Sequence, residues 1–531
     1  METNCQYIPY QNTGFFLKTV IDYLNQSQEL QAFYNYPVSL QGIQQSINAR
    51  QNFTTNRQLL VDVLKEQHKG LSLSPSQQKN IELLLSNDTF TVTTAHQPNI
   101  FTGPLYFIYK ILHAAKLADE LKQQLPQYNF VPVYYMGSED ADLDELGFIN
   151  LNGEKLVWQT KQTGAVGRMK VDKAFIKLID VIHGQIGVEK YGDVLTDLFK
   201  QCYTEGKTIQ QATLELVNYL FADFGVLIVV PDNKILKQSF ESVIQKELTE
   251  QFSHKAVEAT IAELSKHYKV QAGGRDLNLF YLIDDKRERI EIRNSKFEIR
   301  NLNLEWSHEE ILDELQNHPE RFSTNVILRG VFQETILPNI AFIGGGGELA
   351  YWLELKKVFE AVHVPYPMLI LRNSFLILSK NQKEKIAKLG FTVEGFFKNE
   401  NDLLNALVKK ESSNQLCLDK EINQAKDFYH YLKNIAGAVD VTLQQHTEAL
   451  QAKALKQLTN LEKKMLRAEK RKFDTQQQQL HQLKQSLFPN NSLQERTDNF
   501  SLFYAKNGND LLHAIYQASK GLQQEFGVVE I

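Results

Sequence analysis

Four consecutive glycines, Gly344 to Gly347, separate an apolar run from an amphipathic segment, and they restrict the local structure more than any other part of the chain. The apolar run from Leu337 to Ile343 predicts a buried strand, and the segment that ends at Leu355 predicts a helix. A tight turn rarely needs more than one or two glycines. A glycine run before a helix instead lets backbone N–H groups approach an anion. The candidate binding residues are Gly344, Gly345, Gly346, Gly347, Glu348 and Tyr351, and the alternative is a purely structural turn.

An earlier segment has the same design, since Phe90–Thr94 predicts a strand that leads through a polar loop into a helix near residues 103–124. His96 in this loop can donate to a phosphate oxygen or shuttle a proton. The alternative is that His96 only forms hydrogen bonds within its turn. Two such loops suggest one cleft, although neither is a P-loop or a G-x-G-x-x-G fingerprint. The further binding candidates here are Gln97, Asn99, Thr102 and Gly103, the last two as a helix cap.

Apolar runs alternate with helical segments through the middle of the chain, which is typical of βαβ units and a parallel sheet. Strands are predicted at Phe130–Met136, Gly225–Pro231, Val326–Phe332, Phe342–Ile343 and Pro367–Leu371. The fold class is therefore α/β. An inserted hairpin is expected between Phe280–Ile283 and Ile290–Ile292, with the charged residues 284–289 as its connection.

An acidic cluster follows the strand at Phe130–Met136, and ligand sites of open α/β sheets lie at such strand ends. It contains Ser138, Glu139, Asp140, Asp142, Asp144 and Glu145. Crowded carboxylates suit a cation, a substrate ammonium group or a general base, so Glu139, Asp140 and Asp142 join His96 as catalytic candidates. The alternative is an acidic cap on the next helix.

Basic and amide side chains near the glycine run could hold a carboxylate or a phosphate. A guanidinium group can bind either anion through two parallel hydrogen bonds. Taken singly, such side chains are more often solvated surface residues. The candidates are Arg329, Gln333, Asn339 and Arg372.

The 531-residue length predicts about three structural units. Residues 1–88 form a helical region, residues 89–380 an α/β core with insertions at about 147–325, and residues 381–531 a second helical region. Residues 439–487 lack proline and glycine and carry a sustained apolar stripe, which predicts a coiled-coil helix. A long solvated helix lying on the core is the alternative.

A net charge of −5 gives no support to nucleic-acid binding. The three cysteines are far apart and form no C-x-x-C pair, which argues against a zinc site and a disulfide framework. No metal is predicted. No run of about 18 apolar residues predicts a membrane span, and no signal segment is recognised, so a cytoplasmic protein is expected.

Three motifs in order resemble the cysteine-adding enzymes of bacillithiol biosynthesis, also called cysteine ligases. They are Phe101-Thr-Gly-Pro-Leu-Tyr106, the Ser-Glu-Asp run at 138–140, and Gln333-Glu-Thr-Ile-Leu-Pro-Asn339 followed by Ile343-Gly-Gly-Gly-Gly-Glu-Leu-Ala-Tyr-Trp352. The likeness extends over nearly the whole chain, including the long helix.

The resemblance implies a Rossmann-like core, inserted segments, a C-terminal coiled coil that joins two chains as a homodimer, and attachment of cysteine to the amine of glucosaminyl-malate. Amide formation from a free carboxylate is uphill, so ATP or another nucleotide is expected to activate the cysteine carboxyl, with the glycine loops stabilising the charge.

Two positions depart from the family pattern, because Ala141 stands where a histidine commonly follows the Glu-Asp pair and Ala95 stands where a glycine is usual. If that histidine is catalytic, the protein either uses His96 instead or is impaired. Ala141 therefore keeps a catalytically inactive coiled-coil scaffold open as a second function. A nucleotidyl transferase acting on a small sugar-like substrate is the third, because it shares a Rossmann-like core with a histidine in the first loop.

Overall fold

The computed structural model of the protein describes residues 4–271 and 273–531. Its strands are β1 (Asn4–Ile8), β2 (Thr89–His96), β3 (Asn129–Met136), β4 (Phe148–Leu151), β5 (Glu154–Val157), β6 (Leu227–Val229), β7 (Leu279–Ile283), β8 (Lys286–Arg289), β9 (Glu291–Arg293), β10 (Lys296–Ile299), β11 (Leu304–Trp306), β12 (Phe322–Thr324), β13 (Asn339–Gly344), β14 (Met368–Leu371), β15 (Phe375–Leu378) and β16 (Phe526–Glu530).

Its α-helices are α1 (Tyr10–Thr13), α2 (Lys18–Leu24), α3 (Leu40–Gln51), α4 (Arg57–Gln67), α5 (Pro75–Leu83), α6 (Tyr106–Gln124), α7 (Leu143–Leu146), α8 (Lys173–Ile186), α9 (Gly192–Cys202), α10 (Ile209–Phe221), α11 (Lys234–Gln238), α12 (Glu241–Glu250), α13 (Phe252–Leu264), α14 (His308–Asn317), α15 (Val326–Ile336), α16 (Gly346–Trp352), α17 (Lys356–Ala361), α18 (Lys380–Lys388), α19 (Glu400–Glu411), α20 (Asp419–Val439), α21 (Thr442–Lys470), α22 (Asp474–Leu487), α23 (Gln494–Thr497), α24 (Ser501–Asn507) and α25 (Asn509–Ala518).

The chain divides into two compact units. The core unit contains the residues up to Ile377 together with Ser492–Ile531, and the helical unit is Leu378–Asn491. The division expected from the sequence keeps residues 381–531 together. In the structure the last 40 residues of the chain lie in the core unit, because β16 pairs with β1 in an antiparallel sheet that also contains β15. Pairing between the two ends of a chain leaves no local periodic signal.

Five parallel strands form the centre of the core unit, in the order β14-β13-β2-β3-β6. Their side chains are buried on both faces, which explains why these segments read as continuous apolar runs. On one face, Ile43 and Ile47 of α3 lie in one hydrophobic cluster with Phe90 and Val92 of β2. The predicted Rossmann-like α/β core is confirmed.

One predicted core strand is wrong, because Val326–Phe332 lies within helix α15. The side chain of Asn325 accepts hydrogen bonds from the backbone N–H groups of Ile327 and Leu328 and caps the helix. The helix is mostly buried, and a short apolar run that is buried on several sides cannot be told from a strand by its pattern alone.

The inserted hairpin is tighter than predicted. Strand β7 pairs with β8, so the charged residues 286–289 are themselves a strand and not a connection. The turn is reduced to Asp284 and Asp285, and Asp284 has a left-handed φ of 49°. This register brings two arginines of β8 to the same face of the hairpin.

The helical unit contains α18 to α22. The single helix expected at residues 439–487 is divided into α21 and α22 by a short 3-10 segment at Arg471–Phe473. Helices α20 and α21 pair as an antiparallel hairpin, in which Lys433 forms an ion pair with Glu448 at 2.5 Å. Part of the apolar stripe of α21 therefore packs within the same chain, while Leu450 and Leu461 stay 44% and 48% exposed.

Candidate active site

A cavity of about 550 Å³ lies at the carboxyl ends of the parallel strands. His96 ends β2, Gly137 follows β3, Pro231 lies beyond β6, Gly345 follows β13 and Arg372 follows β14, and all five residues line the cavity. The connections run in opposite directions from β2 and β13, and open α/β sheets bind ligands at such a reversal of strand order.

Twelve of the residues predicted for the site line this cavity. They are His96, Gln97, Ser138, Glu139, Asp140, Arg329, Gly345, Gly346, Gly347, Glu348, Tyr351 and Arg372. The other seven predicted residues lie outside its wall: Asn99, Thr102, Gly103, Asp142, Gln333, Asn339 and Gly344.

The glycine loop between β13 and α16 is partly occupied by a carboxylate of the protein itself. Glu348 accepts a hydrogen bond from the Gly345 N–H group at 2.8 Å and forms an ion pair with buried Lys110. None of the four glycines has a left-handed φ. A Cβ on Gly344 would lie 2.9 Å from the Phe342 ring, so that glycine allows close packing, and at Gly347 the missing side chain leaves open space.

The loop between β2 and α6 has a strained backbone, with φ values of 49° at Phe101 and 69° at Thr102. Such values are uncommon for residues other than glycine and need support from the surroundings. Asn499 provides support, because its Nδ2 donates to the Phe101 carbonyl at 2.9 Å and to the Gly103 carbonyl at 2.5 Å. Thr102 is fully buried, so this part of the loop is held by the C-terminal segment and only its beginning faces the cavity.

His96 lies in the cavity wall beside Tyr106 and Phe107, with ring centroids 5.3 and 5.6 Å away. Its Nε2 atom has no hydrogen-bond partner among the residues that the structure describes. Burial lowers the pKa of His96 well below its ordinary value, and the positive charges of Lys110 and Arg329 lower it further. The imidazole is therefore neutral at pH 7 and can accept a proton.

The acidic cluster divides into two parts. Ser138, Glu139 and Asp140 line the cavity, and the Asp140 carboxylate accepts a hydrogen bond from Gln97 Nε2 at 3.0 Å. Asp142 is the N-cap of α7, where its side chain accepts from the Glu145 N–H group at 3.2 Å. The alternative reading as a helix cap thus describes Asp142, whereas Glu139 and Asp140 face the cavity.

Glu139 belongs to a buried ionic network. Lys237 of α11 contacts Glu139, lies 3.2 Å from Asp232 and donates to the Glu320 carbonyl at 2.8 Å. Arg168 binds the Asp232 carboxylate through two hydrogen bonds of 2.6 and 2.7 Å. Burial raises the pKa of Glu139 despite the contact with Lys237. The network fixes one carboxylate of the cavity from behind.

Two arginines of the cavity wall are held by neighbouring side chains. Arg329 donates to the Tyr351 hydroxyl at 2.9 Å. Arg372 binds Glu495 through two hydrogen bonds of 3.0 and 2.7 Å, with both side chains almost fully buried. Glu495 begins the C-terminal segment that also supplies Arg496 to the cavity.

Gln333 and Asn339 are buried around Glu334, away from the cavity. Gln333 and Asn339 donate to Glu334 Oε1 at 2.9 and 2.7 Å, and Arg50 binds Glu334 Oε2 at 2.7 Å. Burial raises the pKa of Glu334 to about 7, although Arg50 opposes the shift. This polar cluster ties α3 and α15 to the start of β13, a structural connection that explains the amide side chains.

Sequence reasoning missed several charged residues of the site. They are Arg275, Arg287, Arg289 and Arg496 in the wall, and Lys110 and Lys237 behind it. The alternating pattern of residues 286–289 could have indicated a strand with two arginines on one face. Arg496 and Lys237 carried no such signal, because tertiary contacts alone bring them to the site.

Within residues 4–271 and 273–531, no group of three or more histidine, cysteine, aspartate or glutamate side chains is arranged to hold a metal ion. No helix in that part of the chain combines the length and the apolar character required to cross a bilayer.

The fold and the site define a class of protein, a Rossmann-like α/β protein with an arginine-rich ligand cleft. Residues 1–373 match the family model "Bacillithiol biosynthesis BshC, N-terminal Rossmann-like domain", and residues 375–531 match "Bacillithiol biosynthesis BshC, C-terminal coiled-coil domain". The chain belongs to the BshC family of bacillithiol biosynthesis.

Relatives named "Putative cysteine ligase BshC" match over the full length of this chain. The protein from Flavobacterium johnsoniae is 41% identical over 100% of both chains, and that from Flavobacterium psychrophilum is 39% identical over 100% of both. The protein from Christiangramia forsetii is 38% identical over 100% of this chain and 99% of its own. The family resemblance seen in the three motifs is confirmed.

Proposed function

We propose that the cavity joins the carboxyl group of cysteine to the amine of glucosaminyl-malate, which would complete bacillithiol. Family membership and the names of the relatives support a ligase. The observation that carries the proposal is the convergence, in one cavity, of arginines for anionic groups, an anchored pair of carboxylates and a neutral histidine.

A nucleotide fits the donor set of the cavity. Arg329 and Arg496 can face phosphate oxygens, and about 550 Å³ lies within the usual range for small-molecule sites. When bound, ATP or another nucleotide would supply the phosphoryl or nucleotidyl group that gives the cysteine carboxyl a leaving group. Glu348 already accepts the Gly345 N–H group, so the glycine loop contributes mainly open space for a ligand.

His96 is the proposed general base. The acceptor amine attacks the activated carbonyl carbon, the new C–N bond forms, and the bond from carbon to the leaving oxygen breaks. The proton released from the amine nitrogen passes to the imidazole of His96, which is unprotonated at neutral pH because burial and neighbouring cations lower its pKa. The leaving anion takes the displaced electron pair and is stabilised by the arginines.

Asp140 and Glu139 are proposed to orient the amine groups of the two substrates. Asp140 is half-buried and lies in the wall with Gln97 as a neutral partner, so it can still accept from an ammonium group. Glu139 is held by Lys237 and faces the same cavity. Ala141 donates its backbone N–H group to Asp140 and supplies no second imidazole, which assigns the proton transfer to His96.

The helical unit is proposed to form a homodimer. Phe428, Tyr431 and Ile435 of α20 are 57%, 64% and 48% exposed and follow each other at helical spacing. A second copy of the same helix offers a matching apolar surface. We also propose that the protein is cytoplasmic, because all three cysteines are free thiols and the substrate is itself a thiol.

The test is product analysis by mass spectrometry. Purified protein incubated with cysteine, glucosaminyl-malate and ATP should form the amide, and His96→Asn should slow this step by roughly 100-fold or more. His183→Asn, an exposed histidine on α8, is the matched control. A nucleotide-linked sugar formed without cysteine would instead indicate a nucleotidyl transferase.

The levels of bacillithiol and glucosaminyl-malate in cells with and without the gene provide the second test. Loss of bacillithiol with accumulation of glucosaminyl-malate would support cysteine addition. Unchanged levels of both compounds, together with no product from the purified protein, would contradict the proposal and favour an inactive scaffold.

A further inference from the structure

The β7–β8 hairpin places two arginines over one aromatic ring at the cavity wall. Phe280 pairs with Arg289 across the hairpin, and Arg287 lies two residues before Arg289 on the same face. The guanidinium carbons of Arg287 and Arg289 lie 4.0 and 4.7 Å from the centroid of the Phe280 ring. Arg275 lines the same part of the cavity.

Two of these three cations, Arg275 and Arg289, are poorly compensated. Arg287 donates to Ser323 Oγ and the Thr324 carbonyl, and its Nη1 lies 3.6 Å from Asp140. Arg289 Nη1 is buried without a hydrogen-bond partner among the described residues. Neither Arg275 nor Arg289 forms an ion pair among the described residues. The negative charge of Glu291 opposes the lowering of the Arg289 pKa, but Glu291 is itself paired with Arg300 at 2.9 Å.

The neighbouring positive charges act on Arg289. Burial lowers the pKa of Arg289, and the charges of Arg275 and Arg287 lower it further. Elsewhere at the cavity, Arg372 is neutralised by Glu495 and Lys110 by Glu348. Among the described residues, Arg329 and Arg496 also line the cavity without an ion pair, so unpaired positive charge lies both at the hairpin and elsewhere in the wall.

We propose that Arg275, Arg287 and Arg289 form a subsite for a short dicarboxylate group of the acceptor substrate. The inference rests on the proposed function, in which that group is the malyl part of glucosaminyl-malate. The chemical basis is a row of guanidinium groups beside an apolar ring, with one unpartnered N–H donor already desolvated.

The spacing favours two carboxylates over one phosphate. Residues two apart on a strand are separated by about 7 Å at their Cα atoms, so the Nη1–Nη2 edge of Arg287, whose Nε already donates to Ser323, lies beside the binding fork of Arg289. Each fork matches one carboxylate through two parallel hydrogen bonds. A diacid with a short carbon chain can engage both forks, whereas a single phosphate fills only one.

Binding of free malate to the full-length protein is the direct test, by isothermal titration calorimetry with lactate and inorganic phosphate as comparison ligands. Malate should bind wild-type protein more tightly than lactate does, and Arg289→Met should weaken malate binding roughly 10- to 100-fold. Arg289→Lys, which keeps the charge, should restore part of the affinity. Arg293→Met is the matched control, because Arg293 lies on neighbouring β9, is 61% exposed and does not line the cavity.

Turnover separates this inference from the proposed function. Arg289→Met should raise KM for glucosaminyl-malate by about 10-fold or more while leaving turnover of methyl glucosaminide, which lacks the diacid, close to wild type. Malate binding that depends on Arg289 in a protein that makes no amide would support the subsite and contradict the ligase. Amide formation and malate binding that are both unaffected by Arg289→Met would overturn the subsite and leave the ligase standing. Phosphate binding that depends on Arg289, without malate binding, would also overturn the dicarboxylate assignment.

Discussion

Replacing Glu495 by glutamine should destabilise the core unit by about 3 kcal/mol, because the change leaves the buried Arg372 charge without its counter-ion. Glu495 accepts two hydrogen bonds from Arg372, at 3.0 and 2.7 Å, and a third from the Phe375 N–H group at 3.3 Å. Glutamine keeps one acceptor oxygen but turns an NH₂ group toward the guanidinium. The loss of one charge-assisted hydrogen bond and of the ion pair accounts for the expected magnitude.

Differential scanning calorimetry of the full chain measures this effect. The core unit contains roughly 400 residues, so its unfolding entropy near the transition is about 0.9 kcal/mol/K, and 3 kcal/mol corresponds to a Tm lower by about 3–4 °C. Glu82→Gln is the matched control, since Glu82 is exposed on α5. The double substitution Arg372→Met with Glu495→Leu removes both charges and should recover most of the lost Tm.

The reasoning would be refuted if Glu495→Gln melts within about 1 °C of the Glu82→Gln control, a difference of less than about 1 kcal/mol. It would also be refuted if the double substitution is less stable than Glu495→Gln. The first result would mean that water or another group compensates Arg372. The second would mean that packing at this site, and not charge pairing, decides the stability.

Three further perturbations test other parts of the molecule. Burial lowers the pKa of His113 to about 4, whereas the ordinary value of about 6.5 is expected in the unfolded chain. Between these two values the unfolded chain binds more protons than the folded chain. About 3 kcal/mol of stability is therefore lost as the pH falls through that window. The Tm difference between wild type and His113→Gln should therefore narrow from pH 7 to pH 5, and a constant difference would contradict the shift. Lys237→Met removes the cation that touches Glu139 and should raise the pKa of that carboxyl, so the acidic limb of the pH–rate profile of amide formation should move to higher pH. Lys237→Arg should reverse the move. An unchanged limb would mean that Glu139 does not act in turnover. Phe428→Glu together with Tyr431→Glu should convert a dimer into a monomer, as measured by sedimentation velocity, whereas Lys420→Glu on the same helix should leave the dimer intact. A dimer that persists in the double variant would place the interface elsewhere.

The parts of the fold that sequence reasoning predicted are those whose signal is local. The continuous apolar runs of β2, β3 and β13 indicate strands buried on both faces, because parallel sheets are covered by helices on both sides. Since ligand sites follow the carboxyl ends of such strands, the amino-acid sequence is enough to single out His96, Glu139 and the glycine loop.

The errors occur where two conformations share one pattern. Residues 326–332 are apolar enough for a strand, yet the Asn325 cap and burial on several sides make them a helix. Residues 284–289 are charged enough for a loop, yet pairing with β7 makes 286–289 a strand. In both cases the neighbouring elements select the conformation, and propensity is only a weak prior.

The sequence by itself therefore determined the α/β class, the five parallel strands of the central sheet and the chemistry at their ends, because each depends on roughly 4 to 18 neighbouring residues. Tertiary structure alone decided that Glu495 binds Arg372 after β14, that Asn499 binds the loop after β2, and that Arg496 reaches the cavity wall. It also decided that Gln333 and Asn339 turn inward to Glu334. It also decided that Arg287 and Arg289 of the inserted hairpin reach the same cavity as the glycine loop. The physical reason is that charge balance and burial depend on which surfaces meet, and contacts between residues hundreds of positions apart leave no periodic trace in the chain.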